Sequence, residues 1–145
     1  DIRLRFAHAA SLVTATLASL GIETSVGEIP GEYCPGEFSV NHNGTIKVAG
    51  IGQRLTKRAA HVGGVLVVGG AAAIRDVLVP VYDALNLDLD PSTVGALDSV
   101  VPGLDVATVA DALVAALGAS ALTVDSALDQ TTLDLARTLA STHTP

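Results

Sequence analysis

A cysteine, a lysine and a cluster of glycines stand together between Gly31 and Val68, in GEYCPGEFSVNHNGTIKVAGIGQRLTKRAAHVGGVLVV. Lys47 is a cationic donor of the kind that stabilises an oxyanion or a phosphate when a rigid element holds it in a water-poor pocket. Cys34 precedes the turn pair Pro35-Gly36; it becomes a nucleophile if a nearby cation, Lys47 or the Arg54 cluster, favours its thiolate. Gly50-Ile51-Gly52-Gln53 offers a backbone with little side chain in the way, as a ligand or another segment needs for close approach. Each residue also has a plainer reading. A strand lysine is more often solvated, and a free cysteine is more often a small buried hydrophobe.

Charge sets this stretch apart. From Phe38 to Arg75 there is no Asp or Glu, yet five of the eight basic residues fall there: Lys47, Arg54, Lys57, Arg58 and Arg75. In a chain of net charge −7, such segregation points to an anionic ligand or an acidic partner.

The elements that must position these residues follow from turn chemistry. Asn43-Gly44 supplies two positive φ angles for a type I′ hairpin between strands at Phe38–His42 and Thr45–Ala49. A two-residue loop sets His42 opposite Thr45 and Val40 opposite Lys47. The glycines at 50 and 52 then break the strand, and the valine-rich run from Ala60 to Val68 reads as a buried strand. Upstream, Phe6 to Leu20 reads as an amphipathic helix stopped by Gly21, and Ile22 to Ile29 as a strand. Downstream, Ala71 to Leu85 is helical and kinked or divided by Pro80. Asp90-Pro91 starts a short helix, Asp105 caps Val106 to Leu117 with Gly118 ending it, and a last helix runs from about Ser126 to Ala140. The helices after Asp90 read as an acidic face packed on the sheet.

The block TIKVAGIGQR, followed by an apolar strand beginning near His61, resembles the lysine motif of the lipoate-protein ligase and octanoyltransferase family, which belongs with the biotin-protein ligases. GEYCPGEFSVN resembles the hairpin leading into that lysine, and RDVLVPVYDALNLDLDPSTVGAL the linker that follows. The resemblance implies an α+β catalytic domain with a mixed or antiparallel sheet, a hairpin at 37–49 and helices packed on it. It covers residues 28–68 most strongly, with a helical part at 71–141 and the whole of 1–145 as one unit. By resemblance Lys47 contacts the acyl carbonyl and, in ligases, the adenylate phosphate. Gly50, Ile51, Gly52 and Gln53 lie against the nucleotide or acyl chain, and Cys34 corresponds to the cysteine that some octanoyltransferases use to carry the acyl group. The family's His-Gly pair appears as His61-Val62-Gly63.

The implied activity is acyl transfer in protein lipoylation: lipoate attached through an adenylate to a lysine of a lipoyl domain, with ATP and Mg²⁺. The alternatives are octanoate transfer from an acyl carrier protein, or a non-catalytic accessory module of the same fold. The family's Arg-Arg pair and glycine-rich loop have no counterpart in the sequence, so the expectation is the C-terminal part of a longer catalytic domain, carrying half of an active site.

Other classes are disfavoured. The lone cysteine precludes an internal disulfide and suits the cytoplasm. The charge-free run Ala59 to Ile74 is 16 residues with four glycines, too short and polar for a membrane span. His42, His61 and Cys34 match no zinc spacing. Gly64 to Ala73 lacks the third glycine and the later acid of a dinucleotide fold, and reads as close strand-to-helix packing. The basic residues lack interleaved aromatics, which argues against nucleic acid. Asn43-Gly44-Thr45, formally a glycosylation acceptor, is explained by the turn.

Overall fold

The computed structural model describes residues 1–119, 126–140 and 142. The described residues form an α+β fold whose four-stranded sheet has the order β1-β2-β3-β4: β1 Ser25–Val26, β2 Val40–His42, β3 Ile46–Leu55 and β4 Ala60–Leu66. All neighbouring strands are antiparallel. The helices are α1 Ile2–Ser19, α2 Ala71–Leu85, α3 Val106–Gly118 and α4 Gln130–Ala140. Residue 141, the end of the expected helical part, lies outside the described residues.

Helix α1 begins four residues earlier than the hydrophobic pattern predicts, because the Asp1 side chain caps it by accepting from the Arg3 N–H at 2.8 Å. It ends where expected. Gly21 takes φ 76°, its N–H bonds to the Ala18 carbonyl at 3.0 Å, and the Ile22 N–H reaches back to Leu17 at 2.9 Å, the paired bonds of a Schellman stop. The following strand is two residues long instead of eight. Ile22 and Ile29 are buried in the core region, away from the ladder.

The Asn43-Gly44 turn forms with φ 54° and 65°, closed by the Thr45 N–H on the His42 carbonyl at 3.1 Å. Its register differs from the expected one. His42 pairs with Ile46 and Asn41 with Lys47, and an irregularity between Val40 and Asn41 sets Val40 opposite Ala49. The Asn41 side chain explains the shift: its Oδ1 accepts from the Gly44 N–H and its Nδ2 donates to Gly27, tying turn and neighbouring loop to one residue.

The glycines do not interrupt β3. Gly50, Ile51, Gly52 and Gln53 pair in register with Val65, Gly64, Gly63 and Val62. A Cβ on Gly64 would sit 3.0 Å from the Gly50 carbonyl oxygen, so the glycine permits close approach of the two strands. Strand β4 is an edge strand and largely exposed, with Val65 at 68%; the expected buried strand is corrected to a half-solvated one. Helix α2 runs unbroken through Pro80. It carries no buried residue, and on a surface helix water can serve the carbonyl that proline leaves without a donor.

Residues 90–98 knit the fold together. Asp90 caps the short 3₁₀ turn Pro91–Thr93 through Ser92, and these hydrogen bonds hold its carboxyl below the usual range. That contribution to the turn is present above the unfolded carboxylate pKa and is lost as pH falls through the folded one. The Asp90 N–H bonds to Gly31 at 2.8 Å, and the Leu97 and Asp98 N–H groups bond to Val67 and Val68. Gly69 lies so close to Asp98 that a Cβ there would meet Oδ2 at 2.8 Å, a contact with the 3₁₀ turn Leu97–Ser99 and not with the helix that follows the glycines. Gly95 is equally constrained, since a Cβ would stand 2.6 Å from both Cβ and Cδ1 of Ile46. Gly95→Ala is therefore expected to lower stability by about 1–3 kcal/mol through overpacking, measured by urea unfolding.

The core gathers Leu17, Ile22, Val40, Val48, Ala49, Val68, Leu97 and Val109. Helix α3, capped by Asp105 as expected, packs chiefly on α1 and joins the core through Val109. Helix α4 buries no residue. Both depart from the predicted acidic layer on the sheet, because α1 already occupies that position.

Candidate active site

Lys47 is 2% exposed. Strand β3 carries it inward, and its ammonium is used completely. Nζ donates to Glu32 Oε1 at 3.2 Å, to the Tyr33 carbonyl at 2.9 Å and to the Cys34 carbonyl at 2.7 Å, and it lies 4.9 Å from the centre of the Tyr33 ring. A buried lysine needs a counter-charge and a partner for each proton; this one has both.

Glu32 is the other half of that arrangement. Its side chain is fully buried. Oε1 accepts from Lys47, the Ser39 hydroxyl and the Gly36 N–H, and Oε2 accepts from the Ile29 N–H. One carboxylate thus closes the loop from residue 29 to 39 and neutralises the lysine. The acid-free run of the sequence therefore overstates the local positive field, since the compensating acid lies just before it.

Cys34 sits on that loop with an exposed thiol. Its φ of 44° is in the left-handed region, uncommon for a residue with a side chain. Both of its peptide groups are tied down. The N–H donates to the Tyr82 hydroxyl at 2.6 Å, and the carbonyl accepts from Lys47. The Tyr82 hydroxyl in turn donates to Cys34 Sγ at 3.9 Å. Burial chiefly, then the Cys34, Glu32 and Tyr82 groups, pushes the Tyr33 phenol above its ordinary range.

Cys34 and Lys47 line a cleft of about 970 Å³ together with Gly50, Ile51, Gly52 and Gln53. All six site residues expected from the sequence meet there. Phe6 and Phe38, stacked with centroids 5.2 Å apart, form an apolar part of the wall, while Arg54 and His61, paired across β3 and β4, form a polar part. Gln53 is partly committed elsewhere: its Nε2 donates to the Ile2 carbonyl and its Oε1 accepts from Arg5. His42 does not join the site, because Nδ1 contacts the Glu23 carbonyl at 2.7 Å. Of the other cations, Lys57 and Arg58 lie in the exposed β3–β4 turn, and Arg75 folds back on Ala71 of its own helix.

Sequence reasoning missed Glu32 and Tyr82. A charge two residues before Cys34, in a segment whose neighbours are buried, was a signal for Glu32. Tyr82 is 48 residues from Cys34, and nothing local announces it.

Several charged side chains of the cleft are committed to partners within the fold. The lining carboxylate, Glu37, is paired with Arg3, Glu32 is enclosed, and Lys47 has all three protons engaged. Among the described residues no group of three His, Cys, Asp or Glu side chains could hold a metal ion. No helix among them is long and apolar enough to cross a membrane.

No family model matches the chain. It is 41% identical over 69 residues to an octanoyl-[GcvH]:protein N-octanoyltransferase of Geobacillus kaustophilus, covering 48% of this chain and 24% of that protein. A solved structure from T. acidophilum, described as a lipoate protein ligase, matches 98% of this chain and 55% of its own with a TM-score of 0.67 and 19% identity. The same protein with bound lipoic acid matches equally well, with a TM-score of 0.67. Lipoate-protein ligase A bound with ATP matches 96% of this chain and 55% of its own, with a TM-score of 0.66 and 19% identity. The chain thus spans about half of these structures and a quarter of the curated relative's length. It shares the fold of these lipoate-protein ligase structures across nearly its whole length, and 69 of its residues are similar to an octanoyltransferase.

Proposed function

We propose that this protein transfers an acyl group, octanoate or lipoate, to a lysine of a lipoyl-domain protein, with Cys34 carrying the acyl group as a thioester. The observation that carries this reading is the exposed Cys34 thiol at the cleft, gripped through both peptide groups by Lys47 and Tyr82. The likeness to an octanoyltransferase over 69 residues supports it.

In the first half-reaction the Cys34 thiolate attacks the donor's acyl carbonyl. A carbon–sulfur bond forms, the bond to the donor group breaks, and the leaving group takes up a proton. In the second, the neutral amine of the acceptor lysine attacks the thioester, an amide forms, and Cys34 leaves as thiolate while the amine loses its proton. Lys47 fixes the Cys34 carbonyl and so the direction of the side chain. The apolar wall of Phe6 and Phe38 suits an aliphatic chain. An octanoyl-bearing carrier domain is the donor of this reading, and a free thiol of this kind persists in a reducing cytoplasm.

A ligase using lipoate, ATP and Mg²⁺ through an adenylate is the second reading, favoured by the ATP-bound and lipoate-bound neighbours. The two separate in one experiment. The protein is incubated with an octanoyl-loaded carrier domain, or with octanoate and ATP, and examined by intact-mass spectrometry. The expected result is one octanoyl group on Cys34 without ATP, removable by hydroxylamine and passed to a lipoyl domain. Acceptor modification that requires ATP and leaves Cys34 free would install the ligase reading. No modification under either condition would favour a non-catalytic module.

A further inference from the structure

We propose that Tyr82 is a positioning residue for Cys34, holding the loop at its left-handed φ and donating a hydrogen bond to the sulfur when it ionises. The proposal rests on the reading of Cys34 as the acyl carrier and extends it to a residue on a different element. Helix α2 buries none of its side chains, yet from its final turns it sends one hydroxyl to Cys34. That oxygen accepts from the Cys34 N–H at 2.6 Å, which leaves its single proton for Sγ at 3.9 Å. The bonding is ordered: an accepting oxygen already occupied by an N–H presents its O–H to the sulfur.

The backbone half of this arrangement explains the unusual conformation. A cysteine at φ 44° is held against its own preference by about 1–2 kcal/mol, and it persists only where its surroundings fix it. Lys47 grips the carbonyl side and Tyr82 the amide side. Without Tyr82 the loop retains one of these two ties.

The sulfur half bears on reactivity. A hydrogen bond to the charged form favours that form, and a thiolate is the reactive species of a cysteine. Burial, first, raises the Tyr82 phenol above its ordinary range, so it remains a proton donor at neutral pH. The other charged or titratable groups around Cys34 are Glu32 and Tyr33 on its own loop, Lys47 and Arg54 from β3, His61 from β4, and the Arg3–Glu37 pair bridging α1 to the loop. Glu32 and Lys47 neutralise each other, as do Arg3 and Glu37, so Tyr82 is the donor placed against the sulfur.

The test is the rate of Cys34 alkylation by iodoacetamide, followed by intact mass across pH 6 to 10, in the wild-type chain, Tyr82→Phe and Val81→Ala. Tyr82→Phe removes one oxygen from a half-exposed side chain, and circular dichroism checks that the helix is kept. Expected is a roughly threefold to tenfold slower reaction at neutral pH that converges on the wild-type rate at the alkaline end, where the thiol ionises without help. Val81→Ala, an exposed neighbour on α2, retains wild-type rates throughout. Tyr82→Phe matching wild type at every pH, or slowing equally at every pH, would overturn the assignment. Alkylation reads the thiol without any acyl donor. A shifted profile beside an absent thioester would therefore refute the acyl-carrier reading and leave the Tyr82 assignment standing.

Discussion

Lys47→Met lowers the unfolding free energy by about 3–5 kcal/mol, the usual cost of leaving one member of a buried ion pair without its partner. The side chains of Lys47 and Glu32 are 2% and 0% exposed, so water cannot replace what is lost. The substitution strands the Glu32 carboxylate and also removes the donor from two carbonyls, those of Tyr33 and Cys34. The double variant Lys47→Met, Glu32→Met is expected to lose less than the sum of the two single variants, by about 1–3 kcal/mol, because no uncompensated charge remains. Guanidinium unfolding of the three variants gives the cycle. A single-variant cost below about 1 kcal/mol would mean that the pair behaves as an exposed one and does not clamp the loop.

On the proposed acyl-carrier reading, Cys34→Ser is expected to abolish acyl capture and to lower transfer to a lipoyl domain by at least about 10³-fold. Serine fits the same space and keeps the backbone ties to Tyr82 and Lys47. Its hydroxyl, however, attacks a carbonyl only when a base removes its proton. The described residues place no such base in contact: His42 is turned toward Glu23, and the contact to Sγ comes from Tyr82, a donor. The measurement is the initial rate of octanoyl transfer between carrier and acceptor domains, with intact mass confirming the missing adduct. Transfer by the serine variant at more than about a tenth of the wild-type rate would remove Cys34 from the mechanism.

Much of this site was legible in the sequence, for local reasons. The Asn43-Gly44 turn, the Asp105 cap and the Gly21 stop each rest on chemistry within a few residues; the cap and the stop form as read, and the turn takes its two positive φ angles in a loop one residue longer. The six residues named for the site line one cleft because the loop, β3 and its glycines are consecutive in the chain. What local pattern did not convey was pairing at a distance. The register beyond the turn depended on Asn41 bonding to Gly27, and the role of Lys47 on a carboxylate 15 residues away. Valine in β4 suggested burial, but exposure is decided by position in the sheet, and an edge strand has a free side whatever its composition. The glycines of β3 suggested a break, whereas their partners in β4 show that they serve close pairing. Tyr82 was invisible for the same reason: its contact with Cys34 is made by the fold and not by the chain.

The anchoring of Gly31 by the segment around Asp90 gives the site a place in time. The Thr93 hydroxyl reaches the Gly31 carbonyl across 62 residues, and Lys47 bridges to Val94 in parallel. Pairings so distant in sequence require a large loop to close before they contribute. On the ribosome the cysteine loop emerges well before the residues that pin it. The geometry of the Cys34 loop is thus a late acquisition of folding, after the hairpin and α1 have formed, and a slow-docking variant at 90–97 would accumulate as a chain with its sheet built and its thiol unaimed.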